Sequence, residues 1–172
     1  MNIRPANLDT AVPSIRPDVF RNAMRELSGG VSVMTVGIGN ERSGMTATSV
    51  SALSLNPPTL IVCVNKDSST WPLLLRYRSF GVNVLHAGHE GIADRFCGRS
   101  GAKGEQRYGE DQWITLETGA SLLARQTAAV ARAGGFAPGL LALRVVTLVR
   151  PSTLTGTSPW MVERRTTRFW LP

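Results

Sequence analysis

Two hydrophobic periods organise the first two-thirds of this chain. Phe20, Ala23, Met24 and Leu27 recur at three- and four-residue spacing behind Pro17, which predicts a helix opened by that proline and stopped by Gly29-Gly30. The β-branched run over 31–38 predicts a strand, followed by a turn through Gly39-Asn40 to Gly44. Residues 45–53 alternate small polar with apolar side chains and predict a further strand, ended by Asn56-Pro57-Pro58. The unbroken apolar run 59–64 predicts a buried strand, and a polar loop fills 65–70. Ser69 or Thr70 then caps a short helix with Pro72 in its first turn and Leu73, Leu74 and Leu75 behind it. Residues 80–85 predict another strand, and 88–96 a brief helix with Ile92, Ala93 and Phe96 on one face. A glycine- and charge-rich loop occupies 98–109. Beyond Leu123 only 140–149 reads as a strand, and no internal repeat is present.

Strands that do not alternate strictly with helices argue for a mainly β protein, an antiparallel barrel with short helices. At 172 residues, 42% hydrophobic and 18% charged, the chain suits one globular domain. No run approaches the roughly 20 apolar residues of a membrane span, and residues 1–14 hold no apolar stretch of leader length, so no membrane partner is expected. Cys63 and Cys97 fit neither a metal knuckle nor a disulfide framework, which points to a reducing cytoplasm. Cys63, inside the apolar run, reads as a buried structural thiol.

A net charge of +7 raises the question of nucleic acid. Residues 1–124 carry 12 Lys+Arg against 11 Asp+Glu, whereas 125–172 carry 7 Arg and a single acid, Glu163. The basicity therefore belongs to the tail. A phosphate-tracking groove needs cations interleaved with aromatics on one surface. Arg125, Arg132, Arg144 and Arg150 are scattered, and only Arg164, Arg165 and Arg168 cluster near Phe169 and Trp170. No nucleic-acid partner is expected.

Chemistry is constrained first by absences. No Gly-x-Gly-x-x-Gly follows a strand, no phosphate-loop signature occurs, and no serine sits in a nucleophile elbow. His86 and His89 lack the carboxylate or thiolate company of a metal site and read as two solvated histidines. The informative stretch is 44–54, a strand candidate carrying the hydroxyls of Thr46, Thr48, Ser49, Ser51 and Ser54. One reading is simply a polar outer face, because half-buried strands tolerate threonine. The other is a binding strand, whose small side chains let a flat ligand approach the backbone and donate to its polar atoms. Asn65, Lys66, Asp67, Ser68, Ser69 and Thr70 add a cation, three hydroxyls and a helix start, the ingredients of an anion site.

With these segments in order, residues 20–123 resemble the flavin reductase family with a split-barrel flavin-binding fold, the small reductase components of two-component flavin monooxygenases. The resemblance rests on Phe20-Arg-Asn-Ala-Met24 with Gly30-Val31, and on Gly44-Met-Thr-Ala-Thr-Ser-Val-Ser-Ala-Leu-Ser-Leu-Asn-Pro-Pro58. It continues through Cys63-Val-Asn-Lys-Asp-Ser-Ser-Thr70, Phe80-Gly-Val-Asn-Val-Leu85, Ala93-Asp-Arg-Phe96 and Gly119-Ala-Ser-Leu-Leu123.

The resemblance implies a Greek-key-like antiparallel split barrel over 16–124, preceded by an extension over 1–15. It puts Thr46, Ala47, Thr48 and Ser49 at the ring of FMN or FAD. It puts Asn65, Lys66, Ser68, Ser69 and Thr70 at the phosphate end, with Arg95 and Phe96 near the outer edge of the site. It implies a homodimer that reduces flavin with NADH or NADPH and hands it to a flavin-dependent oxygenase. Nicotinamide and flavin exchange the hydride themselves, so no catalytic side chain and no metal is expected. A flavin-binding relative without turnover is the alternative. The family's second half bears a histidine in a Gly-Asp-His-like turn, placed by the resemblance near the nicotinamide, whereas this chain has no histidine after His89. Residues 125–172 read as a divergent basic segment, with incomplete closure of the barrel as the expectation.

Overall fold

The computed structural model describes residues 15–27, 29–115 and 118–124 with their side chains, and the backbone of 128–137, 140–151 and 160–164. Helix α1 (Pro17–Arg25) opens on Pro17 with Asp18 in its first turn and Arg25 in its last, an arrangement that suits the helix dipole. It ends short of the two glycines expected to stop it. None of its residues is buried, so Val19, Phe20 and Met24 lie open in the single chain.

Strands β1 (Ser32–Val36), β2 (Ser43–Ala47), β3 (Ser51–Leu55) and β4 (Pro58–Cys63) follow. Next come α2 (Trp71–Tyr77), β5 (Ser79–Val84) and α3 (Glu90–Phe96), then β6 (Trp113–Thr115) and β7 (Ser121–Leu123). The tail adds β8 (Ala128–Ala137), β9 (Leu140–Pro151) and β10 (Trp160–Arg164). Residues 45–53, expected as one strand, are thus parts of two. The physical reason is a change of partner: β2 pairs with β1 and β3 with β4, and the chain turns the corner over 48–50.

The main sheet runs β2-β1-β5-β8-β9-β4-β3, with β10 on β9, and every pairing is antiparallel. Non-sequential neighbours such as β1 with β5 and β4 with β9 give it Greek-key-like wiring. Its two end strands, β2 and β3, are consecutive in the chain. Laid flat, seven strands would hold these ends about 29 Å apart, six spacings of ~4.8 Å. The three-residue link between Ala47 and Ser51 reaches at most about 15 Å. The sheet must curl round to bring its ends together, as a barrel does, and the seam falls at 48–50.

The tail, expected to offer a strand only at 140–149, supplies three. β8 and β9 occupy the middle of the sheet, β9 over the expected strand and β8 where none was expected.

Two core clusters divide the side chains of β1, whose five residues are all buried. Met34 and Val36 join Val62, Leu74, Phe80 and Val82 in one cluster. Val33 joins Ile92, Phe96, Tyr108 and Leu123 in the other, as the two-residue period of a strand requires. Buried polar groups dock β7 onto this sheet: Asn83 donates from Nδ2 to Val33 O at 3.1 Å and accepts from Leu123 N at 2.7 Å. Thr35 Oγ1 donates to Ser121 O. The run 59–64 is only partly buried, through Val62 and Val64. Cys63, between them, faces outward and is exposed, contrary to the buried thiol expected of it. Among the described residues no helix is long and apolar enough to cross a membrane.

Candidate functional site

The two hydroxyl-rich segments nominated by the sequence lie side by side, fastened at both ends. At one end Ser49 Oγ accepts from Cys63 N at 3.1 Å and donates to Cys63 O at 3.2 Å, doing for the corner what a strand ladder does elsewhere. At the other end Thr70 Oγ1 donates to Gly44 O at 2.9 Å. This fixes segment 44–49 along segment 63–70.

Within that frame the nominated residues divide. Ala47 is in the first core cluster, and Thr46 Oγ1 donates to Ala93 O at 2.7 Å, tying β2 to α3. Thr48 is exposed at the corner. Asn65 shapes the loop: its Oδ1 accepts from Asp67 N at 2.9 Å and its carbonyl from Ser68 N at 3.1 Å. Lys66 is exposed and forms no ion pair among the described residues. Ser68 Oγ is enclosed without a hydrogen-bond partner among the described residues. Thr70, expected as a cap for α2, spends its hydroxyl on Gly44 instead and is 1% exposed. Phe96, expected at the outer edge of the site, is 1% exposed, because the inward face of α3 carries it into the second core cluster. Arg95 stays nearer the surface, ion-paired with Asp111 and donating from Nε to Arg107 O at 3.1 Å.

Arg107 and Tyr108 went unnominated in the sequence and prove central. They lie on a 3-10 turn, Gly104–Tyr108, that packs along β2 within the loop 98–109. β2 ends the sheet, with no strand beyond it among the described residues, and side chains satisfy its carbonyls. Arg107 Nη1 donates to Gly44 O, and Tyr108 Oη donates to Ser43 O at 2.7 Å. Burial pushes the Tyr108 phenol well above its ordinary range. Its ring meets Phe96 at 5.2 Å and Trp113 at 4.9 Å edge-on, with the Arg42 guanidinium 4.4 Å above it. The available signal was a lone tyrosine within a glycine-rich, charged loop.

His86 is exposed and accepts at Nδ1 from Gly88 N at 2.9 Å, and its ring stacks on that of His89 at 3.8 Å. His89 is half-buried, not fully solvated as expected, and burial followed by the neighbouring His86 lowers its pKa. Among the described residues no group of three or more His, Cys, Asp or Glu gathers as a metal site would.

The flavin reductase like domain matches residues 24–133. The chain belongs to this family. The FMN reductase (NADH) RutF 2 of Methylorubrum extorquens (strain PA1) is 40% identical over 111 residues, which cover 64% of this chain and 63% of that relative, less than two thirds of its length. Among solved structures, the NADH:FAD oxidoreductase SgcE6 of Streptomyces globisporus C-1027, in complex with NAD and FAD fragments, superposes with a TM-score of 0.69. It is 29% identical, over 81% of this chain and 87% of that one. BorF, the flavin reductase component of a bacterial two-component tryptophan halogenase, gives a TM-score of 0.68 at 26% identity, over 89% of this chain and 90% of that one. The family match begins within α1 and ends within β8, so it spans both hydroxyl-rich segments and the loop that carries Arg107.

Proposed function

We propose that this chain binds a flavin nucleotide, reduces it with a nicotinamide nucleotide, and releases it to a partner oxygenase. The observation that carries this reading is the fastening of segment 44–49 against 63–70 by Ser49–Cys63 and Thr70–Gly44, in a chain of the flavin reductase like family. The exposed corner at Thr48 and Ser49 would meet the flavin ring, and the loop from Asn65 to Thr70 its phosphate. The donor set fits an anion: Lys66 is unpaired and Ser68 Oγ unpartnered among the described residues. When both are bound, flavin and nicotinamide supply the hydride-transfer chemistry. The chain's part is to orient the ring, neutralise the phosphate and keep segment 44–49 rigid enough to hold both at reacting distance.

FMN with NADH is the favoured pair, because the relative named for them shares more identity than the one named for FAD. The oxygenase partner is supported by BorF. A homodimer is supported by the open apolar side chains of α1 together with Leu53 and Leu55 on β3. A cytoplasmic location is supported by two exposed, unpaired cysteines. One observation favours the second reading, flavin binding without turnover: the last histidine of the chain is His89. Purified protein supplied with FMN or FAD should consume NADH or NADPH above the free-flavin background. Flavin binding without consumption of either nucleotide selects the second reading, and absence of both defeats the first and second together.

A further inference from the structure

We propose that Arg107 supplies the buried positive charge that recognises the phosphate of the bound flavin and sets the preference for phosphorylated flavins over riboflavin. This rests on the flavin reading above and adds a residue outside the segments that carried it.

Charge around Arg107 is unbalanced. Arg16, Arg42, Arg76, Arg95 and Arg99 each have a carboxylate partner, although every one of them is more exposed than Arg107. Arg107 is 9% exposed and has no carboxylate partner among the described residues. A guanidinium withdrawn from water is costly to leave without an opposite charge, so its position calls for an anion.

Geometry says where the anion would sit. Nε donates to Ala102 O at 3.1 Å and Nη1 to Gly44 O, and these two contacts fix the plane of the fork. What remains faces the 65–70 loop: Nη1 lies 3.5 Å from Thr70 Oγ1 and Nη2 3.5 Å from Ser69 Oγ. Contacts that long are weak, so this edge of the fork is pre-oriented and little used. Ser68 Oγ, enclosed and unpartnered, belongs to the same loop, and Lys66 is exposed on it. A phosphate oxygen received by Ser68 or Ser69 would meet the remaining guanidinium edge directly, in the fork geometry that suits phosphate. Riboflavin would leave that charge unmet.

The competing role is a strut, since two of Arg107's bonds join loop 98–109 to β2. The experiment separates the two by titrating FMN and riboflavin, followed by quenching of flavin fluorescence, into the wild type, Arg107→Met and Arg107→Lys. The wild type should prefer FMN to riboflavin. Arg107→Met should lose about ten-fold or more in FMN affinity, the scale of one charge-assisted hydrogen bond, with riboflavin affinity unchanged within about two-fold. Arg107→Lys keeps the charge and the stem but loses the fork, and serves if the methionine variant does not fold. It should lose FMN affinity by about three-fold or more, again sparing riboflavin. Equal losses for both flavins in whichever variant folds make Arg107 a strut and overturn the proposal, as does a wild type that binds riboflavin as tightly as FMN. In both of those outcomes the flavin reading stands. A wild type that binds no flavin defeats that reading, and the proposal with it.

Discussion

Replacing Gly44 by alanine tests the packing that holds the site together. Gly44 faces Thr35 across the β1–β2 pair, and the 3-10 turn and α3 close over it. A Cβ built there would stand 2.6 Å from Phe96 Cε1 and 2.9 Å from Cδ1, and closer still to the Met34 carbonyl oxygen. Phe96 is fixed by Tyr108 and Trp113, and the Met34 oxygen is backbone, so neither moves cheaply. Overpacking of this kind costs about 1–3 kcal/mol. The Gly44 carbonyl also receives Thr70 and Arg107, and disturbing either bond adds about 1 kcal/mol. A total near ~3 kcal/mol, at 2–4 °C for each kcal/mol in a domain of this size, lowers Tm by roughly 6–12 °C. Thermal melts followed by circular dichroism measure it. Gly30→Ala is the control, because a Cβ there meets nothing within 4 Å. Its Tm should stay within about 2 °C of the wild type. A drop of less than about 2 °C for Gly44→Ala would refute the close-approach argument and leave the glycine unexplained.

Three further outcomes follow from the same contacts. Thr70→Val keeps the shape but removes the donor to Gly44 O, and should cost about 1 kcal/mol in urea denaturation, whereas the exposed Ser69→Ala should be near neutral there. Lys66→Ala should weaken FMN binding by about ten-fold without moving Tm, and an unchanged titration would place the phosphate elsewhere. Because the folded chain lowers the His89 pKa from its ordinary 6.5, the unfolded chain takes up the proton first as the solution is acidified. The stability linked to His89 is therefore present above about pH 6.5 and lost as pH falls towards the folded pKa. Urea midpoints compared between neutral and mildly acidic buffer should fall less for His89→Gln than for the wild type; equal falls would assign the acid sensitivity to other groups.

How much of this was legible beforehand depended on the range of the interaction. The helices at Pro17, Pro72 and Glu90, and the strands around Val33, Val62 and Val82, follow from local spacing and turn chemistry, and they form close to where those signals put them. The break at 48–50 was illegible, because small alternating residues look alike in one long strand or in two short ones. Only the pairing of β2 and β3 with different partners decides it. Cys63 faces outward because its neighbours Val62 and Val64 face inward, a phase that an unbroken apolar run conceals. The hydroxyls of Thr46, Ser49 and Thr70 showed the right neighbourhood for a site, yet composition did not reveal that all three are engaged in holding backbone. Arg107 and Tyr108 were missed since their burial comes from closing the edge of a strand some sixty positions earlier, a contact with no local trace. Beyond Leu123, alanine, glycine and arginine blur the two-residue period, and long-range pairing to β5 and β4 makes the strands.

The position of β8 and β9 also says something about time. A ribosome delivers β1 to β5 first, as two ribbons, β2-β1-β5 and β3-β4, that meet at the 48–50 corner and through Ser49 and Cys63 but leave β5 and β4 each with an unfilled edge. Those two edges stay unpaired until 128–151 emerges and inserts between them, Asn83 meeting Ala128 and Cys63 meeting Leu140. Until then the inner edges of both ribbons are open to any passing strand. A nascent chain that stalls or is cut before residue 128 therefore presents two sticky edges, which β8 and β9 cover once residues 128–151 have emerged.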